Sequence, residues 1–363
     1  MFMEENNTQF NNSESEENSA NNGAEVSAAK TVNGGYYTYI PYGFTPETYK
    51  EKRKIRKESL RIGITLIVMI FISLIFAPII VLALQKVGFT YNGAYSFISE
   101  PARTQCIQIA FSTVVFLLPT AVMAKTCGKT VSSLVPLEKP KKGTAVPFFM
   151  FGIACCALAN IYSSYMGQIF ENIFHLNYNV DNGDNPQGFF GFMLMLISTA
   201  VIPPLVEEFA FRGIILSFLK KFGEGFAIIA SSVLFGLIHG NFSQMPFAFS
   251  VGLALAYITV KTGSLIPSIA VHAFNNLISV VFSYLNLSNA VQNILYSFLL
   301  LIMLLCGIFS VLFILKKDKD AYKIDNVNLA CGEKAKFKWF FTGPAIIIYT
   351  VLCCLLAIRY FFV

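Results

Sequence analysis

The stretch VEEFAFRGIILSFL, at residues 206–219, places three charged side chains inside an otherwise apolar segment. An ionisable group near the centre of a bilayer costs about 3 kcal/mol or more, so such groups are usually kept for function. Glu208 and Arg212 are four residues apart and share one helical face, which predicts an ion pair. Glu207 points about 100° away from Glu208 and would remain free to face a cavity. The stretch therefore predicts a membrane-buried helix rather than a charged loop.

The composition of the whole chain agrees with a membrane protein. Hydrophobic residues make up 55% of the 363 residues and charged residues only 13%, whereas soluble domains carry about 25% charged residues. These values favour lipid as the main solvent and exclude an ordinary soluble enzyme. The net charge of +6 is modest. The basic cluster KEKRKIRKESLR at residues 50–61 is typical of a membrane anchor that contacts anionic lipid, so we expect no nucleic-acid partner.

Apolar runs predict an all-α, polytopic transmembrane helical bundle. A spanning helix needs about 20 predominantly apolar residues, and nine candidate spans meet or approach this length: 62–84, 104–124, 144–166, 189–208, 225–243, 246–260, 265–285, 291–315 and 341–358. With a cytoplasmic N-terminus and strict alternation, all but three of the 27 basic residues fall on the cytoplasmic side. This asymmetry follows the positive-inside rule and supports nine spans.

The chain divides by composition into three regions. Residues 1–35 are rich in Asn, Glu and Ser and predict a disordered polar tail without a signal peptide. Residues 36–61 form a basic juxtamembrane segment, and residues 62–363 form the transmembrane domain, with a catalytic core at about 189–285. We expect an integral protein of the bacterial cell membrane with its N-terminus in the cytoplasm.

Two further blocks of polar residues follow the first one. In FGLIHGN, Phe235 and His239 are four residues apart, and in VHAFNN the same spacing separates His272 from Asn276. Taken alone, each histidine could be a hydrogen-bonded packing residue, and the asparagine could join two helices. The remaining histidine, His175, falls in the polar stretch FHLNYNVDNGDN, where a solvated role is expected.

Together the three blocks supply one free carboxylate, two imidazoles and one amide, which suit hydrolysis in a protected cavity. A carboxylate and a histidine can hold a water molecule and remove its proton. A second histidine and an amide can donate hydrogen bonds to the oxyanion of a tetrahedral intermediate. A metal alternative stays open, because Glu207, His239 and His272 could form a two-histidine, one-glutamate site for a divalent ion such as zinc.

These blocks resemble the signature of the CPBP family, which includes the type II CAAX prenyl endopeptidases and the bacterial Abi proteins. The resemblance rests on EExxxR from Glu207 to Arg212, FxxxH ending at His239 and HxxxN starting at His272, in that order. It covers about residues 189–285 and implies a helical intramembrane protease with an eight-helix core, to which this chain would add one span.

The resemblance also implies roles for the residues of the three motifs. Glu207 and His239 would activate the attacking water, while His272 and Asn276 would stabilise the oxyanion. Glu208, Arg212 and Phe235 would support them. The family is named for metalloproteases, although some of its relatives are considered metal-independent glutamate proteases, so the metal stays open.

The sequence thus predicts an intramembrane endopeptidase that acts on a hydrophobic or lipidated peptide or protein near the membrane surface. The alternative is a non-catalytic transporter or immunity-type binding protein that uses the same polar cluster. For the motifs to meet, residues 189–219 would have to form one long helix bent at Pro203 or Pro204, and the next helix would have to start later than residue 225. We expect the motifs to meet near mid-membrane, toward the cytoplasmic half.

Overall fold

The structure is a computed structural model that describes residues 40–86, 100–174, 188–242, 244–285, 287–325 and 327–359. The predicted disordered tail and His175 lie outside these residues, so both interpretations stay predictions. The chain divides into two units, Met1–Lys50 and Glu51–Val363. In the first unit, the described residues 40–50 comprise a turn and the first residues of a helix.

The described residues form helices and turns with no β-strand, which confirms the all-α prediction. Two of the eleven helices below are short, α3 and α10, and the others are long or strongly apolar. In chain order the helices are α1 (Pro46–Lys86), α2 (Glu100–Thr126), α3 (Val131–Leu134), α4 (Ala145–Phe174), α5 (Gly188–Phe222), α6 (Glu224–Ile238), α7 (Gln244–Thr262), α8 (Ile266–Leu285), α9 (Asn289–Lys317), α10 (Glu333–Phe341) and α11 (Pro344–Arg359).

The polytopic bundle is confirmed, but the count of nine spans is not. Seven helices in the described residues are long and apolar enough to cross a membrane, or eight if α10 and α11, which meet at a 67° bend, form one span. The difference lies at α6, which has 15 residues and is about 22 Å long at 1.5 Å per residue. That length is shorter than the hydrocarbon core of about 30 Å.

Helix α6 ends earlier than the sequence predicted because a glycine stops it. Gly240 has a φ of +56°, a left-handed conformation that favours glycine and commonly ends helices. The predicted segment 225–243 therefore breaks at His239, the residue that directly follows the helix. Asn241 then begins the next turn, and its Oδ1 accepts a hydrogen bond from the backbone N–H of Gln244 at 3.3 Å, as an N-terminal cap does.

The buried side chains form two main clusters in the bundle. The larger one surrounds α5 and joins it to α1, α2, α6 and α11. The second is formed by α4, α7, α8 and α9. The residues of the three motifs lie where the two clusters meet, because α5 and α6 belong to the first cluster and α8 to the second.

The turn between α7 and α8 is buried beneath the segment that precedes α4. The backbone N–H of Leu265 donates to the Pro136 carbonyl at 2.8 Å, and the Ser264 hydroxyl donates to the Glu138 carbonyl at 2.6 Å. Ser264 is fully buried. These bonds fix the start of α8 against residues 136–138.

Candidate active site

Helix α5 carries the first motif and is interrupted by two π-helical turns. The turns span Leu196–Val201 and Phe209–Ile215, and they flank the α-helical segment Ile202–Glu208. π-turns often occur at functional sites. The predicted long helix over residues 189–219 is confirmed, and it extends to Phe222. Glu207 therefore lies in the middle of a 35-residue span rather than at the end of a shorter helix.

Glu208 forms the centre of a buried charged network. Its Oε1 lies 2.7 Å from Arg212 Nη1 and 3.0 Å from His272 Nδ1. Glu208 and Arg212 are essentially inaccessible to solvent, so the ion pair predicted from their spacing is present and desolvated. The Nδ1–H of His272 donates to Glu208, and this bond fixes the orientation of the imidazole.

Glu207 lines the cavity that the first motif was predicted to face. Its Oε2 lies 3.9 Å from His272 Nε2, so the two ring nitrogens of His272 face the two adjacent glutamates. Because Glu208 is already paired with Arg212, Glu207 is the carboxylate of the motif that faces the cavity. The separation of Glu207 from His272 is short enough for direct proton exchange after a small movement or through one water.

Phe235 separates the two histidines of the site. Its ring centroid lies 5.0 Å from that of His239 and 6.0 Å from that of His272, with both pairs in edge-to-face geometry. The guanidinium of Arg212 lies 4.0 Å from the same ring centroid, as in a cation–π contact. His239 Nδ1 lies 2.8 Å from the Phe235 carbonyl, so Nδ1 carries the hydrogen and Nε2 is an acceptor.

Asn276 joins α8 to α5 at a carbonyl that the local sequence leaves without a partner. An α-helix would pair the Thr199 carbonyl with residue 203, and a π-helix would pair it with residue 204. Both are prolines and have no N–H to donate. The side-chain amide of Asn276 donates to this carbonyl at 3.0 Å instead. The helix-joining role considered for Asn276 is therefore present, and its second N–H remains for another acceptor.

Asn275 and Asn160 extend this row of amides. The Nδ2 of Asn160 donates to Asn275 Oδ1 at 3.2 Å, and the Nδ2 of Asn275 lies 3.5 Å from Asn276 Oδ1. The sequence interpretation missed Asn160 and treated Asn275 as incidental, although both line the same cavity. The signal for Asn275 was available, because the pair Asn275–Asn276 interrupts an otherwise apolar helix.

The residues of the three motifs meet in one cavity of about 640 Å³. Glu207, Phe235, His239, His272 and Asn276 all line it, as predicted. The sequence interpretation missed the more distant polar wall, which consists of Gln244, Ser279, Ser283, Gln292 and Asn293. The spacing of Ser279 and Ser283 from Asn276 continues one helical face and could have identified them.

The convergence of the motifs is confirmed, but one of its expected causes is wrong. Helix α6 starts at Glu224, not later than residue 225. The motifs meet at the Phe235 ring, whose centroid lies 5.0 Å from that of His239 and 6.0 Å from that of His272. The catalytic roles of these residues stay predictions.

The metal alternative rests on Glu207, His239 and His272. Among residues 40–359, apart from the gaps given above, no group of three or more His, Cys, Asp and Glu side chains is arranged to hold a metal ion. The Nδ1 atoms of His239 and His272 are already bonded to Phe235 and Glu208. These bonds leave the Nε2 atoms of both imidazoles free, as in histidines that bind a metal, so a zinc ion held by Glu207, His239 and His272 stays a prediction for experiment.

Comparisons with known proteins agree with this site. The family described as type II CAAX prenyl endopeptidase Rce1-like matches residues 189–278. YdiL of Bacillus subtilis (strain 168), named as a candidate membrane peptidase, is 25% identical over 232 residues, which is 62% of this chain and 89% of YdiL. MroQ of Staphylococcus aureus (strain USA300), a membrane-embedded CAAX protease, is 31% identical over 100 residues, which is 26% of this chain and 40% of MroQ. No solved structure matches the chain significantly.

The apolar helices, the buried acid–imidazole site and these relatives define an integral membrane protease of the CAAX-protease type. The matched residues 189–278 hold all three motifs, and together with the two relatives they support the CPBP family. The resemblance inferred from the motifs is therefore confirmed.

Proposed function

We propose that this protein is an intramembrane endopeptidase that hydrolyses a peptide bond with a water molecule activated by Glu207. The observation that carries the proposal is the position of Glu207, with its Oε2 3.9 Å from His272 Nε2 in a cavity that His239 also lines. A carboxylate and two imidazoles beside a cavity that can hold a peptide are suited to general acid–base hydrolysis.

In the proposed first step, a water molecule donates its hydrogens to Glu207 and to His239 Nε2. The hydrogen bond from His239 Nδ1 to the Phe235 carbonyl supports this role, because it leaves Nε2 as the acceptor. The water oxygen attacks the carbonyl carbon of the substrate, and one water proton passes to Glu207. A tetrahedral intermediate with a negatively charged oxygen results.

In the second step, His272 and Asn276 stabilise the oxyanion. Glu208 accepts the hydrogen of His272 Nδ1 and so holds the imidazole with Nε2 toward the cavity, where an Nε2–H would donate to the oxyanion. The second amide hydrogen of Asn276 supplies another donor. The intermediate collapses when the C–N bond breaks, and the proton on Glu207 passes to the leaving nitrogen, which becomes the new amino terminus.

The proposed substrate is a hydrophobic, or lipidated, peptide or protein near the membrane surface. An apolar recess of about 370 Å³ beside α8 supports this class of substrate. Its wall is almost entirely aliphatic and aromatic, with contributions from Phe149, Leu196, Val201, Phe274 and Leu277. A CAAX-type substrate is suggested by the name of MroQ alone and is part of the same proposal.

The decisive experiment compares Glu207→Gln with Glu138→Gln in purified protein supplied with a library of hydrophobic peptides. Glu207→Gln should lower kcat by about 10²- to 10⁴-fold, the usual contribution of a general base. Glu138 is exposed and lies outside the cavity, so Glu138→Gln should match the wild type. Full activity of Glu207→Gln would remove Glu207 from the mechanism.

Chelation tests the metal alternative in the same assay. Because the described residues offer no three-ligand set, we expect full activity after dialysis against a strong zinc chelator. Loss of activity that returns with added zinc would instead assign a metal to Glu207, His239 and His272. The non-catalytic alternative would be favoured if His239→Ala and Asn276→Ala kept the cellular function of the protein but cleaved no peptide.

A further inference from the structure

The cavity is closed at one end and exposed at the other. Val251 and Met303 are buried and close one end, next to the buried Phe235. Ser283 and Asn293 line the other end and are exposed. Ser283 lies in the last turn of α8 and Asn293 near the start of α9. The mouth of the cavity therefore lies where α8 ends and α9 begins.

The opposite ends of these helices belong to a surface rich in Lys and Arg, called here the basic face. It is formed by residues 51–61, 139–143, 220–224, 261–263, 316–325 and 327–342. Hydrogen bonds join these segments to one another. Lys221 Nζ lies 2.7 Å from Glu58 Oε1, and the N–H of Asp325 donates to Glu224 at 3.1 Å. Lys261 donates to the Lys323 carbonyl.

The mouth of the cavity is separated from the basic face by about the thickness of a membrane. Gln244, which lines the cavity, lies 17 residues before Lys261 along α7, or about 26 Å at 1.5 Å per residue. Asn293 lies 24 residues before Lys317 along α9, or about 36 Å. A hydrocarbon core is about 30 Å thick. The mouth and the basic face therefore lie at opposite surfaces of the bundle.

The short α6–α7 hairpin explains why a cavity forms on that side. Helix α6 starts at the basic face and is only about 22 Å long, so its end does not reach the opposite surface. In the turn after it, Asn241 is buried at 2% exposure. The ends of α8 and α9 extend beyond this turn. The short hairpin thus leaves room beside α8 and α9 for a cavity that opens away from the basic face.

We propose that the cavity opens on the non-cytoplasmic side of the membrane and receives an extended segment of an exported polypeptide. The side follows from the positive-inside rule, which places the basic face in the cytoplasm. The substrate class rests on the endopeptidase function proposed above. This arrangement differs from the sequence expectation, which placed the site toward the cytoplasmic half.

The polar wall of the cavity suits an unfolded peptide backbone. Between the mouth and Glu207 it presents the carboxamides of Asn160, Gln244, Asn275, Gln292 and Asn293. Each carboxamide offers both a donor and an acceptor, which matches the alternating N–H and C=O groups of an extended chain. A segment that enters from the mouth can exchange its bonds to water for bonds to this wall, and so reach Glu207 without leaving its backbone unpaired.

Cysteine labelling in intact cells tests the orientation independently of catalysis. Asn293→Cys places a thiol at the mouth, and Lys319→Cys is the matched variant at an exposed position of the basic face. Each variant is produced in bacterial cells and treated with a membrane-impermeant maleimide before and after permeabilisation. Mass spectrometry of the peptide that contains the new cysteine separates its labelling from that of the eight native cysteines.

We expect Asn293→Cys to be labelled equally before and after permeabilisation, and Lys319→Cys to be labelled several-fold more after it. The reverse pattern, equal labelling of both variants in intact cells, or labelling of Asn293→Cys only after permeabilisation would overturn the proposal. The same pattern is expected when Glu207→Gln is added. Correct labelling without proteolysis in the wild type would therefore contradict the proposed function and leave the orientation standing.

Discussion

At the scale of single residues, Glu208 determines how the site is organised. One of its carboxylate oxygens contacts both Arg212 and His272. Glu208 does not face the cavity itself, but it positions the His272 imidazole, which faces the cavity. Desolvating an ion pair of this kind often costs as much as the pair returns in stability. The network is therefore better explained by the orientation of His272 than by stabilisation of the fold.

Removing the Arg212 guanidinium should reveal the free-energy cost of burying the Glu208 carboxylate. In Arg212→Met, Glu208 would keep its charge without its cation, and we expect a loss of about 3–5 kcal/mol in the free energy of unfolding. Thermal unfolding in detergent measures the change. Arg61→Met is the matched control, because Arg61 is partly exposed and Glu58 keeps Lys221 as a partner. The control should lose about 1 kcal/mol or less.

The double variant Glu208→Gln with Arg212→Met distinguishes burial of the lone charge from lost packing. Since it removes both charges, it should be more stable than Arg212→Met alone. A double variant that is as unstable as Arg212→Met would attribute the loss to packing of Arg212 against Phe235.

At the scale of secondary-structure elements, the α6–α7 hairpin places His239 in the wall of the cavity. The two helices approach closely at Gly236, where an added Cβ would lie 2.9 Å from the Met245 carbonyl oxygen and 3.0 Å from Phe249 Cβ. These neighbours include backbone atoms, which cannot rotate away as a side chain can. The close contact fixes how far His239 projects toward Glu207.

Widening this contact should lower both activity and stability. We expect Gly236→Ala to cost about 1–3 kcal/mol, as overpacked cores do, and to reduce kcat because His239 moves with α6. Gly225→Ala is the control on the same helix, since nothing lies within 4 Å of its added Cβ. It should be neutral or stabilising by up to about 1 kcal/mol. Equal effects in the two variants would contradict the close-contact explanation.

At the scale of the whole molecule, the topology does not depend on whether α6 is counted as a span. Helix α6 begins at the basic face and α7 ends there at Lys261, so the hairpin returns to the side from which it started. Helices α8 and α9 form a second such pair between the basic face and the mouth. Helix α11 then runs away from the basic face, because Tyr349 contacts the Leu234 carbonyl and Leu356 lies beside Gly240.

Reporter fusions should therefore place the end of α11 on the non-cytoplasmic side. Alkaline phosphatase fused behind α11 should be active, since it folds only after export, and the same reporter inserted after Lys319 should be inactive. A fluorescent protein that matures only in the cytoplasm should give the opposite pattern at the two positions. Inactive phosphatase behind α11 would contradict the path of the last helix.

The sequence by itself determined the features that are local along the chain. Apolar runs gave the positions of the helices, and the four-residue spacing gave the ion pair between Glu208 and Arg212, because one helical turn fixes that geometry. The same spacing identified the residues of the cavity on α6 and α8. The break at Gly240 was also local and could have been predicted from the helix-ending role of glycine.

Only the tertiary structure decided which helix ends meet and at what depth. The burial of the α7–α8 turn under residues 136–141, the bond of Asn276 to Thr199 and the contact of Asn160 with Asn275 all join segments far apart in sequence. No periodicity within one helix encodes its offset along a neighbouring helix. That offset, set by side-chain packing and buried hydrogen bonds between helices, brought the acid, the imidazoles and the amides together and gave the cavity its mouth.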